Sequence, residues 1–172
     1  MRVKKIKMML PANQEYVSIA RLTIASVATN MGFSIGDVED LQVAISEACT
    51  NAICHSIVPE ATYDLTYIIG QKDLTFTVSD TGVGFEPDLV KLSGENKDAL
   101  ASGFGLFVIE TLMDSVEIVS KKGVGTSITM VKNLPSEIPT LVPFPHRSLS
   151  TKIQDTVEKL YGGFALQKNL SI

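Results

Sequence analysis

The chain has only two cysteines, Cys49 and Cys54, among its 172 residues. Five positions apart on a helix, they point about 140° away from each other. That spacing excludes a local disulfide or a zinc site between them, and both are expected to be reduced thiols that pack a helix. No apolar run reaches about 18 residues, which excludes a helical membrane span. Positive charge is in deficit, because 15 Lys and Arg against 19 Asp and Glu leave a net charge of −4. A chain of that sign is poorly suited to gripping phosphate backbones, so direct nucleic-acid binding is not expected. There is no G-K-[ST], so the phosphate loop of a Walker A motif is excluded. Internal repeats are absent. The start, Met1 to Leu10, has basic residues but a broken apolar stretch, and it reads as an alternating strand rather than a signal peptide.

What is present is ordinary in bulk. Hydrophobic content of 45% and charged content of 20% fit one soluble globular domain that can bury a core. Val3 to Leu10 is expected to be a strand, broken by Pro11-Ala12-Asn13. Apolar residues then recur at helical spacing from Glu15 to Met31, with Ile19, Ile24 and Val27 expected to turn inward. Gly32 stands where a left-handed helix cap is wanted. A second helix is expected from Ser34 to about Ile57, closed by Pro59. The period changes to two over Ala61–Ile69 and Leu74–Ser79, with Gly70-Gln71-Lys72-Asp73 as the hairpin between them. Thr81 to Ser102 reads as a long functional loop. A third helix is expected from Gly103 to about Met113, then a hairpin of Val116–Ser120 and Thr126–Lys132. After Lys132 four prolines (Pro135, Pro139, Pro143, Pro145) suggest an extended linker, and Ser150–Leu160 suggests a short helix. This order implies helices covering one face of a largely antiparallel sheet.

Three short motifs carry the chemistry. Glu47 and Asn51, at i and i+4, share one face of the second helix. Asn51 offers a neutral oxygen suited to a Mg²⁺ ion that keeps most of its waters and touches phosphates. Glu47 is placed to deprotonate or orient an attacking hydroxyl. Asp80, at a strand end, can accept a hydrogen bond from an exocyclic amino group such as that of adenine. Gly82 and Gly84 after it allow a flat ring to approach. Thr126 is expected to support Asp80 through its hydroxyl or a water. Gly103 and Gly105 are read as opening a helix, whose free N–H groups would bind phosphate, with Ser102 as its cap. His55, on the Asn51 face, is read first as a partly exposed packing residue, with a place at the pocket mouth as its other reading.

Together, the E-x-x-x-N helix, Asp80-Thr81-Gly82-Val83-Gly84 and Gly103-Phe104-Gly105-Leu106 resemble the nucleotide boxes of the Bergerat-fold, or GHKL, ATPases. The flanks Pro11–Val17, Ala20–Ser26, Val43–Ala52 and Ile109–Asp114 resemble the bacterial anti-sigma factor serine/threonine protein kinases, the sigma-B type above all. The likeness covers residues 3–132. It implies an α+β fold: a two-layer α/β sandwich, with a mixed, mostly antiparallel sheet and helices on one face. Residues 1–132 would form the kinase domain, and 133–172, outside the likeness, a proline-containing extension that reads as partly disordered or else as a partner-binding or autoinhibitory addition.

The resemblance implies a cytoplasmic, homodimeric enzyme dependent on ATP and Mg²⁺. It would sequester a sigma factor and phosphorylate a serine of an anti-anti-sigma (STAS) partner. The implied nucleotide contacts are Asn51, Asp80, Gly82, Gly84, Gly103, Phe104, Gly105, Leu106 and Thr126, with Asn51 also on the metal, Glu47 catalytic and Arg21 on the partner. Ala101-Ser102 stand where some relatives carry an arginine near the terminal phosphate. That departure keeps open a nucleotide-gated anti-sigma module with little or no kinase activity.

Overall fold

The computed structural model describes residues 4–56, 58, 60–85 and 97–135. All of them fall in one compact unit, residues 1–139. The proline-bearing extension beyond residue 135, the helix expected at Ser150–Leu160, and positions 86–96 of the expected loop lie outside the described residues.

The elements in order are β1 (Lys4–Pro11), a 3-10 turn (Gln14–Tyr16), α1 (Val17–Met31), α2 (Ile35–Cys54), β2 (Thr62–Ile69), β3 (Asp73–Asp80), α3 (Lys97–Leu112), β4 (Ser115–Lys121) and β5 (Gly125–Asn133). The strands form one sheet in the order β1-β2-β3-β5-β4, and every neighbouring pair runs antiparallel. The α+β architecture expected from the sequence is therefore present.

Alternation along the strands builds the core. On one face Tyr63, Leu65 and Tyr67 of β2, Leu74, Phe76 and Val78 of β3, and Ile128 and Met130 of β5 are buried. Each such side chain contributes about 1.5–3 kcal/mol on burial. The alternate positions carry hydroxyls that pair across the strands, Thr77 with Thr129 at 3.1 Å and Ser79 with Ser127 at 2.8 Å. That face suits a half-solvated sheet.

The helices cover the apolar face. Ala44, Ala48 and Ala52 recur every fourth residue on α2 and are buried, and side chains this small let the helix lie close to the sheet. Gly32 ends α1 in the left-handed conformation, with φ of 91°. Ser34 caps α2 by accepting from the Asp37 backbone N–H at 3.1 Å. Lys132 of β5 ties the two site-bearing helices together. Its Nζ donates to the Leu112 carbonyl at the end of α3 at 2.8 Å and lies 3.8 Å from Asp40 and 3.9 Å from Asp37 near the start of α2. A cation there also complements the exposed carbonyl dipoles of a helix end.

Three expectations differ from the structure. The third helix begins by Lys97, not at Gly103. Lys97-Asp98-Ala99-Leu100-Ala101 is rich in helix formers and carries the helix through the two glycines. Ile19 on α1 is 40% exposed, while Ile24 and Val27 are buried. The inward stripe of that helix runs through Val17, Ala20, Ile24, Val27 and Ala28, and Ile19 falls outside it. Cys49 is buried and packs as expected, but Cys54 is exposed at the end of α2. Burial pushes the Cys49 thiol up to about 11, so it stays protonated and inert.

Candidate nucleotide site

The site lies where the second half of α2 faces the ends of β3 and β5, with α3 alongside. A cavity of about 200 Å³ opens there. Its polar wall holds Asn51 and His55 from α2 and its cap, Asp80 from β3 and Thr126 from β5; its apolar wall includes Val78, Phe85, Leu106 and Ile128. Val78 and Ile128 are directly opposed in the β3–β5 ladder, so the sheet itself provides a flat apolar floor. A planar ring can rest on such a floor while polar groups at the rim fix its orientation.

Asp80 is the last residue of β3 and pairs with Tyr63. Its Oδ1 accepts from the backbone N–H of Gly82 at 2.7 Å. That bond turns the chain after the strand and aims the carboxylate at the cavity. The turn is then pinned from both sides: the Val83 N–H donates to the His55 carbonyl at 3.1 Å and the Gly123 N–H donates to the Val83 carbonyl at 2.6 Å. Glycine is required here on two grounds. A Cβ on Gly82 would overlap the His55 carbonyl oxygen, and one on Gly84, where φ is +61°, would overlap the carbonyl of Lys121.

Glu47 sits one turn before Asn51 and is not part of the cavity wall. It meets α3 instead. A Cβ built on Gly105 would lie 2.8 Å from Glu47 Oε2 and 3.6 and 3.7 Å from the side-chain amide atoms of Asn51. Gly105 is therefore what lets α3 approach the Glu47–Asn51 face this closely. The partial burial that follows raises the Glu47 pKa above its ordinary value of 4.5. A carboxylate raised in this way is a stronger base than an exposed one.

Of the residues singled out in the sequence, Asn51, Asp80, Leu106 and Thr126 share one cavity, and Gly82, Gly84, Gly105 and Glu47 form its immediate frame. Others stand differently. Gly103 and Gly105 lie inside α3, so they do not open a helix, and position 102 lies inside it as well. Phe104 is 38% exposed and does not line the cavity. Thr126 does not bond to Asp80; its hydroxyl pairs with Ser120 at 2.9 Å, because the β4–β5 register sets these two residues opposite each other. Ser120 also accepts from the Phe85 N–H at 2.8 Å, which places the Phe85 ring at the cavity. Arg21 is exposed on α1 and does not line the cavity.

His55 takes the place at the pocket mouth that was the lesser of its two readings, and Phe85 is a wall residue that the sequence did not single out. The i+4 spacing of His55 from Asn51 was a usable signal. Phe85, one residue past the second glycine, had none within the chain.

Among the described residues, no three His, Cys, Asp or Glu side chains cluster to cage a metal. The single neutral oxygen of Asn51 fits a Mg²⁺ ion held mainly by water and phosphate oxygens.

The model of the histidine kinase-like ATPase domain family matches residues 10–132. Serine-protein kinase RsbW of Bacillus cereus is 38% identical over 137 residues, which cover 74% of this chain and 85% of that protein. Serine-protein kinase RsbW of Listeria monocytogenes is 38% identical over 138 residues, 75% of this chain and 88% of that one. Among solved structures, the RsbU and RsbW domains of Rv1364c from Mycobacterium tuberculosis superpose with a TM-score of 0.55 at 19% identity, over 81% of this chain and 35% of that chain, a likeness of fold. No described helix is long and apolar enough to cross a membrane. With a matched segment that takes in β2 to β4 and nearly all of β5, both glycine motifs and the Glu47–Asn51 helix, the chain belongs to the histidine kinase-like ATPase domain family and, within it, to the group that contains the serine-protein kinase RsbW.

Proposed function

We propose that the chain binds ATP with Mg²⁺ in this cavity, phosphorylates a serine of an anti-anti-sigma STAS-domain partner, and holds a sigma factor away from RNA polymerase. It would do so in the cytoplasm as a homodimer. The observation that carries the reading is the meeting of Asn51 and Asp80 at one apolar-floored cavity, with the Gly105-apposed Glu47 one turn away from Asn51. The 38% identity to proteins named serine-protein kinase RsbW supports the reaction class.

The chain's own residues divide the work. Asp80 accepts from an exocyclic amino group, and the Val78–Ile128 floor receives the ring. Asn51 would hold the Mg²⁺, whose chemistry is to neutralise charge on the phosphates. Glu47 holds the proton of the attacking serine hydroxyl, and its raised pKa suits that task. Gly105 and Leu106 bring α3 against this face. Arg21, exposed on α1, is free to meet an acidic surface of the sigma factor through its planar donor fork.

Ala101 favours a second reading, in which the nucleotide gates sigma-factor binding and little phosphate is transferred. Incubating the full chain with labelled ATP, Mg²⁺ and a purified STAS-domain partner separates the two. Label on the partner serine is expected. Tight ADP binding with no label on the partner would establish the second reading instead.

A further inference from the structure

A second cavity lies behind Asp80. Its volume is about 290 Å³, larger than the first at about 200 Å³. Its walls include Ala52, Ser56, Ala61, Thr62 and Thr81, and the one residue common to both cavities is Asp80. Ala48 and Ala52, one turn apart on α2, wall the first and the second cavity in turn. Asp80 borders both, and the Gly82 whose N–H it accepts lines the second cavity without adding a side chain to it. Among the described residues, the lining of the second cavity is made of small side chains together with Val58 and includes no aromatic ring. The Ser56 hydroxyl is already satisfied by the Val58 carbonyl at 3.1 Å. An apolar occupant would therefore not strand that hydroxyl unpaired.

We infer that this cavity is the back of the base subsite, and that it takes a substituent carried on the exocyclic nitrogen of an adenine seated at Asp80. The chain would then accept N6-substituted adenine nucleotides alongside the unsubstituted ones. The inference rests on the reading of Asp80 as the partner of the exocyclic amino group. Such an amino group has two N–H bonds, and one is enough to donate to Asp80. The other position can carry a carbon without loss of that bond. Cavities of about 150 Å³ hold a benzene ring, so 290 Å³ has room for a benzyl group. Ala52 and Ala61 give it apolar walls to meet.

The test uses the full chain and two probes, ADP and N6-benzyl-ADP, each displacing a fluorescent ADP analogue. N6-benzyl-ADP is expected to bind within about threefold of ADP, a difference under about 1 kcal/mol. Ala61→Phe, which extends a ring into the second cavity, is expected to weaken N6-benzyl-ADP by about tenfold or more and leave ADP unchanged. Ala61→Leu, the milder filling, should give a smaller loss in the same direction, and thermal melts of both variants check that they fold. Wild-type protein that binds ADP normally but the benzyl derivative some thirtyfold more weakly would overturn the inference and leave the proposed function standing. Filled variants that still bind both probes like wild type would overturn it too. Failure of ADP itself to bind would remove the nucleotide reading, and this inference with it.

Discussion

Gly105→Ala should make the protein more stable and less active. Gly105 lies inside α3, and replacing an interior helix glycine with alanine contributes about 0.8–1 kcal/mol. For a chain of this size that raises Tm by about 2–4 °C. The added Cβ would stand 2.8 Å from Glu47 Oε2, where ordinary contact begins near 3.4 Å, so the carboxylate must withdraw by 3.4 − 2.8 = 0.6 Å. It sits at the end of a flexible side chain and can do so cheaply. The Asn51 amide, at 3.6 and 3.7 Å, already has room and should stay. A base displaced by this much loses alignment with the hydroxyl it serves, and misplacements near 1 Å cost about 10²-fold in rate. Complete loss of the base sets an outer bound of about 10⁴-fold. Phosphorylation of the partner serine should therefore fall by about 10²-fold, with ADP affinity close to wild type in calorimetry and a higher melting temperature. A variant that melts higher and phosphorylates its partner at the wild-type rate would refute the role given to the Glu47–Gly105 contact.

Three other perturbations probe different links. Glu47→Gln should still bind ADP but lose about 10²–10⁴-fold in partner phosphorylation. Because burial raises the Glu47 pKa above 4.5, the stability tied to its protonated form is complete below 4.5 and is lost as pH rises through the folded value. The glutamine protein should accordingly melt above wild type at neutral pH, and the gap should close in acid; a gap that stays constant with pH would contradict the burial argument. Lys132→Met removes the cation beside the buried Asp40 and the donor to the Leu112 carbonyl, and should cost about 3 kcal/mol in chemical denaturation. Arg21→Glu should abolish capture of the sigma factor in a pull-down while ADP affinity barely changes; retention at the wild-type level would free Arg21 of that role.

Much of the frame was legible because it depends on local chemistry. The glycine at 32 and the serine at 34 mark a helix end and a helix start that the structure keeps, with φ of 91° and a side-chain cap. Alternation through Tyr63–Tyr67 and Leu74–Val78 announced strands with one buried face. The site was legible only where its parts sit on single elements, as Glu47 and Asn51 do on α2. The rest depends on tertiary register. Ser120 becomes the partner of Thr126 through strand pairing, and Phe85 reaches the cavity through Ser120. The contact of Gly105 with Glu47 needs two helices separated by more than forty residues of chain. Gly103 and Gly105 misled because glycine is a frequent helix boundary, and the helix formers before them outweighed that tendency. Ile19 misled because a helix with several apolar positions does not say which of them is the outlier.

In the proposed function, Asp80 faces the exocyclic amino group of a bound adenine nucleotide. Calorimetric titration of ADP with Mg²⁺ into the wild-type chain and into Asp80→Asn tests it most directly. Asparagine keeps one acceptor oxygen, which the Gly82 N–H already occupies, so its NH2 would meet the exocyclic amino group donor to donor; the unmade bond costs about 1–3 kcal/mol, and Asp80→Asn should bind roughly tenfold or more weakly with the fold intact. Equal affinity in the two proteins would contradict the claim.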